Sequence, residues 1–338
     1  MNMKDFIAVG ENIHCTRVVK RGGARTAVLP SGGEGVIFTG NGEKRLLPIP
    51  GNWAEISPSY ADGKIRHIAL AIYQALHGKG GDKKSGEDYL CRAAEEQIEN
   101  GAKFLDINVD EYTNDKSERI DIMKWLSTFM AERFKTPLSI DSSNVEVLEA
   151  GLECSRKDTT PLVNSVSLER EEAVDVVIQY RAHAIVSAAG RKGLPCTVDE
   201  RLVNFREIIG ILSKQGMPLT RMHLDALVFP ISVDPMNGKY FLEASARVKQ
   251  EFSGVNLNGG LSNISFGMPQ RKILNLVFTR LFTEAGGNGG IIDPVQMPPA
   301  AVSELDPDSP GYTLARAVLE GTDMFGIDYI RAHREGRL

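Results

Sequence analysis

Several polar side chains in this chain stand where short apolar runs stop: Asp106, Asn108, Asp141, Asn164, Asp225, Asn258 and Asn263. Carboxylates accept side by side from an amino group and a ring N–H, which is the donor edge of a 2-amino-4-oxopterin, while amides supply donors and acceptors together. Any one of these residues could simply cap the next helix, a position that Asp and Asn favour. Converging as a group, they would repel one another or stay unsatisfied without a donor-rich polar ligand. A metal is the competing use. His14 and His223 fall on different strand signals with no H-x-H or H-E-x-x-H spacing, and aspartates without a histidine cluster suit only a hard cation, so no resident metal is expected.

The apolar runs that position these residues have the length and flanks of buried strands. In order they are Phe6–Val9 leading to Glu11 and Asn12, Phe104–Asn108, Leu138–Asp141, Leu162–Asn164, Ala184–Ser187, His223–Asp225, Val255–Asn258 and Gly290–Asp293. Amphipathic helical segments lie between them: Tyr89–Asn100, Ile120–Phe134, Val145–Cys154, Glu171–Tyr180, Val203–Gln215, Tyr240–Phe252 and Arg271–Ala285. Strand then helix, repeated eight times in 338 residues, predicts an α/β chain folded as a (β/α)8 TIM barrel, a single domain over residues 1–338. In that fold the C-terminal strand ends carry the active site, so the polar residues would face one another across one mouth. The stretch Asn256–Pro269 passes through paired glycines into amides and hydroxyls, and Pro269 could open a helix.

One connection is far longer than barrel loops usually are: the insertion of residues 15–84 after the first strand. Its runs Val36–Thr39 and Arg45–Ile49 flank a Gly40-Asn41-Gly42 turn and predict a β-hairpin, followed by a helix over Ile65–Leu76 and a Gly-Lys-rich linker over Gly78–Gly86. Leaving from the catalytic face, the insertion is expected to act as a lid or a docking surface, or else as scaffold decoration or an oligomer contact. No G-x-x-x-x-G-K-[ST] pattern occurs, so its glycines are not read as a phosphate loop.

A net charge of -5 argues against nucleic-acid binding, and the cluster Arg17, Lys20, Arg21 and Arg25 reads as a solvated loop. Cys15, Cys91, Cys154 and Cys196 form no C-x-x-C pair and read as reduced thiols. With no signal-peptide pattern and no run of about twenty apolar residues, neither secretion nor a membrane span is expected, and the chain is placed in the cytoplasm.

Taken in order, the motifs also resemble a family. Gly10-Glu11, Gly101–Val109, Asp141–Asn144, Glu149–Leu152, Val163–Ser165, Leu224–Leu227 and Gly260–Gly267, with Arg271 and Asn275, look like the pterin-binding barrel of methyltetrahydrofolate:corrinoid methyltransferases. The same barrel occurs in cobalamin-dependent methionine synthase, and dihydropteroate synthase is a more distant relative. The resemblance implies an enzyme that exchanges a methyl group between tetrahydrofolate N5 and the cobalt of a corrinoid (cobalamin) carried by a partner protein, in a one-carbon or demethylation pathway, and that forms a homodimer. It implies that Asp141, Asn164 and Asp225 hold the pterin, with Asp106 and Asn108 nearby. Glu11, Asn258 and Arg271 complete that binding set, and Asn263 with Asp225 serves the chemistry at N5. Departures are the Asn12 and His14 of Gly10-Glu11-Asn12-Ile13-His14, where the family reads Gly-Glu-Arg-x-Asn, the run Ser187-Ala188-Ala189-Gly190 after the fifth strand, and the insertion. The alternatives are a dihydropteroate synthase-like condensing enzyme and a non-catalytic pterin-binding subunit. The first would want basic strand-end residues for a pyrophosphate, where Asn258 and Asn263 stand instead.

Overall fold

The short strand runs bury both faces, polar residues such as Ser139 and His223 included, and a parallel sheet clad in helices covers both faces. The computed structural model describes residues 3–30, 32–40 and 42–338. Its parallel strands are β1 (Ile7–His14), β2 (Ala102–Asn108), β3 (Leu138–Asp141), β4 (Leu162–Val166), β5 (His183–Ser187), β6 (Met222–Asp225), β7 (Asn256–Asn258) and β8 (Gly289–Ile292). They form one eight-stranded sheet in the order β7-β6-β5-β4-β3-β2-β1-β8. Ile7 pairs with Gly289, Leu105 with Leu138 and His223 with Asn256. The remaining seam is bridged where Gly260 meets Ile291 in parallel and the Ile291 N–H donates to Gly259 O at 2.9 Å. A helix follows each strand in turn, giving the expected (β/α)8 barrel with a long insertion after its first strand.

By packing, the chain divides into two compact units. One comprises the chain up to Gly10 with Asn100–Phe104 and Thr160–Leu338; the other comprises Glu11–Glu99 and Leu105–Thr159. In the second unit the insertion contributes an antiparallel sheet of Thr26–Val28, Glu34–Gly40 and Glu43–Pro48, with Val36 opposite Leu47 and Gly40 opposite Glu43. A further ribbon pairs Val18–Lys20 with Lys64–Arg66. The predicted turn residue Asn41, like Ser31, lies outside the described residues. Val36, Phe38, Leu47 and Trp53 are buried, and the Arg45–Asp88 ion pair at 2.6 Å ties the sheet to the helix Gly81–Glu99.

Two local expectations are corrected. Strand β1 does not stop at Val9 but continues to His14, so Glu11, Asn12 and His14 are strand residues. The segment Gly78–Gly86 is not a linker throughout, because the helix begins at Gly81. Gly86 is there for packing: a Cβ on it would sit 2.5 Å from Ala75 N and 2.6 Å from Ala71 O, so its absence lets this helix close on the helix His67–His77.

In the first unit, Val9, Phe104, Leu162 and Ile185 form a core with Ile7 and Ile291 packed against it. Set against Phe104 are two histidines, with His183 Nδ1 and His223 Nε2 3.0 Å apart and each ring edge-on to the phenyl ring. One nitrogen must donate and the other accept, so the pair is held with at most one of its rings charged. Burial pushes His223 down to about 3, with His183 adding to the effect, and burial also lowers His183. A histidine lowered in the folded state is protonated first in the unfolded chain, so its contribution to stability is present above the usual histidine range and lost as pH falls from about 6.5 toward 3. Between pH 7.5 and 5, wild-type protein should therefore lose more unfolding free energy than His223→Gln, by a difference approaching about 1.4 kcal/mol per pH unit below that range. Parallel curves from urea titrations would contradict this.

Candidate active site

The strand ends of the second unit gather an acidic cluster. His14 Nε2 lies 2.9 Å from Asp106 Oδ2, both side chains being buried. Asn108 donates through Nδ2 to Asp141 Oδ2 at 2.9 Å and fixes the loop by accepting the Asp110 N–H at the same distance. Asp110 in turn accepts from Ser142 Oγ at 2.6 Å and from Ser143 N and Oγ at 2.8 and 2.9 Å, which shapes the turn directly after Asp141. Asn144 then caps the helix Val145–Glu153 by accepting from Glu146 N and Val147 N. Each polar group is thus placed by the one before it.

The charges in this cluster are unbalanced in an informative way. Burial works against a charged His14, yet the hydrogen bond and charge of Asp106 outweigh it and hold the imidazole above its ordinary range. Burial, followed by the charge of Asp106, pushes the Asp141 carboxyl well above the usual carboxylate range. One cation for two close carboxylates leaves Asp141 short of positive partners, which a ligand presenting N–H donors would supply. His14, Asp106 and Asp141 each offer a ligand atom within 4.8 Å of the others, so the cluster is also spaced to hold a cation. The chain separation that argued against a metal does not keep His14 from the carboxylates.

The first unit carries the other strand ends. Asn164 lies beside a bulge, since Asn164 pairs with Ile185 and Val166 with Val186, leaving Ser165 as the extra residue. Asp225 is buried at the end of β6; its Oδ1 accepts the Leu227 N–H at 2.8 Å, and Leu227 takes a left-handed φ of 68° to deliver it. Burial raises the Asp225 carboxyl to about 6, against the pull of the Leu227 and Gly260 N–H groups and of Arg201. After β7, residues Leu261–Ser265 form a 3-10 turn. A Cβ on Gly260 would lie 2.8 Å from Asn263 Nδ2, so this glycine makes the room that the Asn263 amide occupies.

The residues expected from sequence are therefore differently employed. Asp106, Asn108 and Asp141 are brought together, whereas Glu11 is ion-paired with Arg17 at 2.8 Å. Asn258 is fully buried, with Oδ1 accepting the Gly259 N–H at 2.7 Å, which places it under the turn. Arg271 braces the same turn: Nε donates to Ser265 Oγ at 3.0 Å, Nη2 donates to Ser262 O at 2.9 Å, and the guanidinium lies over Phe266 at 4.4 Å. Sequence reasoning weighed His14 only as a metal ligand and as a departure from the family's pattern, and missed Asp110 beside the acidic cluster and Arg201 beside Asp225. His14 would have been found by carrying β1 past its apolar run; Asp110 and Arg201 give no local signal.

Residues 79–293 match the family of pterin binding enzymes. Among named relatives, the chain is similar to a methylcorrinoid:tetrahydrofolate methyltransferase of Eubacterium limosum, 27% identical over 262 residues that cover 76% of this chain and 91% of that protein. Among solved structures it is similar to 7,8-dihydropteroate synthase of Vibrio fischeri, at 18% identity and a TM-score of 0.51 over 70% of this chain and 86% of that one. It is also similar to Yersinia pestis DHPS with a pterine-sulfa conjugate, at 17% identity and a TM-score of 0.50 over 64% and 88%. At such identities the structural likeness speaks for the barrel alone. The sequence match runs from ahead of β2 through the end of β8, more than half of the chain, and the protein belongs to the pterin binding enzymes.

Proposed function

We propose that the protein is a methyltransferase that moves a methyl group between the cobalt of a corrinoid, carried by a partner protein, and N5 of tetrahydrofolate. The observation that carries the reading is that each unit ends a strand in a carboxyl raised by burial, Asp141 in one and Asp225 in the other. A 2-amino-4-oxopterin offers the N–H donors that such carboxylates lack, and Asn164 supplies a donor and an acceptor for the rest of the ring. The relative from Eubacterium limosum lends the direction, from methylcorrinoid to tetrahydrofolate.

The chemistry asks little covalent work of the chain. N5 attacks the methyl carbon, the carbon–cobalt bond breaks with its electron pair left on cobalt, and N5 becomes a cation that must shed its proton. In reverse, N5 has to be protonated before it can leave. Either way one group must hold the N5–H bond in the transition state, and the Asn263 carbonyl oxygen is an acceptor suited to it without adding a buried charge. The remaining residues bind and orient, which is the larger share of catalysis for two preformed reactants.

With methylcobalamin and tetrahydrofolate as substrates, loss of the methylcobalamin absorbance should report the transfer. Asn263→Ala should slow it roughly a hundredfold while tetrahydrofolate still binds. A variant as fast as wild type would remove Asn263 from the chemistry. Tetrahydrofolate binding with no transfer, even from a protein-bound methylcorrinoid, would make the chain a binding subunit; condensation of a pterin pyrophosphate with an aminobenzoate would replace the reading.

The insertion is proposed as the surface that receives the corrinoid protein. It forms its own small sheets and leaves Val18, Val28 and Ile56 exposed. Deleting residues 18–60 should depress transfer from the protein-bound corrinoid more than transfer from free methylcobalamin. Equal losses in the two assays would contradict a docking role.

A further inference from the structure

Arg201 is a buried cation that the chemistry above does not use. It sits in the first turn of the helix Val198–Lys214 and is 1% exposed, its Nη1 is buried without a hydrogen-bond partner, and it makes no ion pair among the described residues. A guanidinium kept in such a place costs several kcal/mol unless the surroundings use it. Its one close bond is from Nε to Ala226 O at 2.7 Å, the carbonyl directly after Asp225, and its guanidinium lies 5.6 Å from the centre of the Phe229 ring.

Three residues on, Asn204 reaches from the same helix to the preceding strand end. Its Nδ2 donates to Ala188 O at 2.8 Å, and a Cβ on Gly190 would approach that Nδ2 to 2.7 Å, so a larger residue there would push the Asn204 amide aside. Between the two grips, the Ala188 N–H donates to Asp225 O at 2.9 Å. The circuit is closed: the helix holds Ala226 through Arg201 and Ala188 through Asn204, and those two loops hold each other at Asp225. The helix itself is anchored by a capping box, in which Thr197 Oγ1 accepts the Glu200 N–H at 3.2 Å and Glu200 Oε2 accepts the Thr197 N–H at 3.3 Å and the Cys196 N–H at 2.6 Å. The small residues of Ser187-Ala188-Ala189-Gly190 are what let this helix come close enough.

We infer that Arg201 and Asn204 are positioning residues that clamp the β5 and β6 strand ends, and that the Arg201 guanidinium keeps Asp225 ionised and aimed to accept from the pterin. The inference rests on the methyl-transfer reading only in naming the ligand. Of the charged and titratable groups that act on Arg201, Asp225 stands on β6, Cys196 and Glu200 at the start of the clamping helix, and Tyr240 on the helix Asn237–Glu251; Arg201 is the cation that acts on Asp225.

The test uses Arg201→Gln, which keeps a donor for Ala226 O and removes the charge, Arg201→Lys, which restores the charge, and Asn204→Ala, which leaves Arg201 in place. Two quantities are read: tetrahydrofolate affinity against pH, and the midpoint of the Asp225 carboxyl followed by 13C NMR. In wild type, binding should be lost as pH falls through the Asp225 midpoint. Arg201→Gln should move that midpoint up by about one unit, a roughly fivefold weaker complex at the wild-type midpoint and about tenfold well below it, and Arg201→Lys should bring it back. Asn204→Ala should weaken binding with the midpoint unmoved. A folded Arg201→Gln with the wild-type carboxyl midpoint overturns the inference, as does wild-type affinity in Asn204→Ala. Should wild type bind no tetrahydrofolate, the methyl-transfer reading falls, and the NMR midpoints still decide the role of Arg201.

Discussion

A carboxylate at the end of a buried strand is out of water on most sides, and it stays charged only if something nearby donates to it. Asp106, Asp141 and Asp225 meet that constraint in three ways. Asp106 has the imidazole of His14 at hydrogen-bond distance. Asp225 has the Leu227 N–H, for which the backbone accepts a left-handed residue, and the cation of Arg201 behind its loop. Asp141 has one amide, Asn108, and the repulsion of Asp106 against it. Burial and that repulsion outweigh Asn108 and the attraction of His14, so N–H donors from a ligand would favour its charged form.

Much of the local architecture follows from keeping these groups in place. Asp110 ties the turn after Asp141, Arg271 ties the turn after β7, and Gly260 clears space for Asn263. The apolar layer at Phe104, Leu162 and Ile185 gives the strands a rigid base, as a packed barrel interior does. Chemistry that relies on placement tolerates little movement, since a small displacement of one reactant raises the barrier steeply.

The barrel was legible because its strand signals are short apolar runs repeated with helices between them, a pattern that few other folds share. Asp141 and Asp225 were legible for the same reason, each being the last residue of its strand, whereas Asp106 stands inside β2, which runs on to Asn108. What the pattern could not show was pairing across distance. His14 belongs to a strand that outlasts its apolar residues, and its partner is 92 residues away. Arg201, on an amphipathic helix, reads as a solvent residue until the fold turns it inward. Gly86 sits in a Gly-Lys-rich stretch that looks like a linker, and its use as a contact between helices depends on what packs there. In the insertion the hairpin showed in its turn and alternation, while the third strand, Thr26–Val28, is only three residues long and has no alternation to read.

Asp141 and Asp225 are each raised by burial, so a pterin that either one receives as a carboxylate must drive off its proton. Titration calorimetry of tetrahydrofolate binding at pH 6 to 7, in buffers of different ionisation enthalpy, counts the protons exchanged. Binding should expel protons from the raised carboxyls, and the number expelled should shrink in Asp141→Asn and in Asp225→Asn. Binding with no proton release, or with the same release in both variants, would show that these carboxylates are not where the pterin is held.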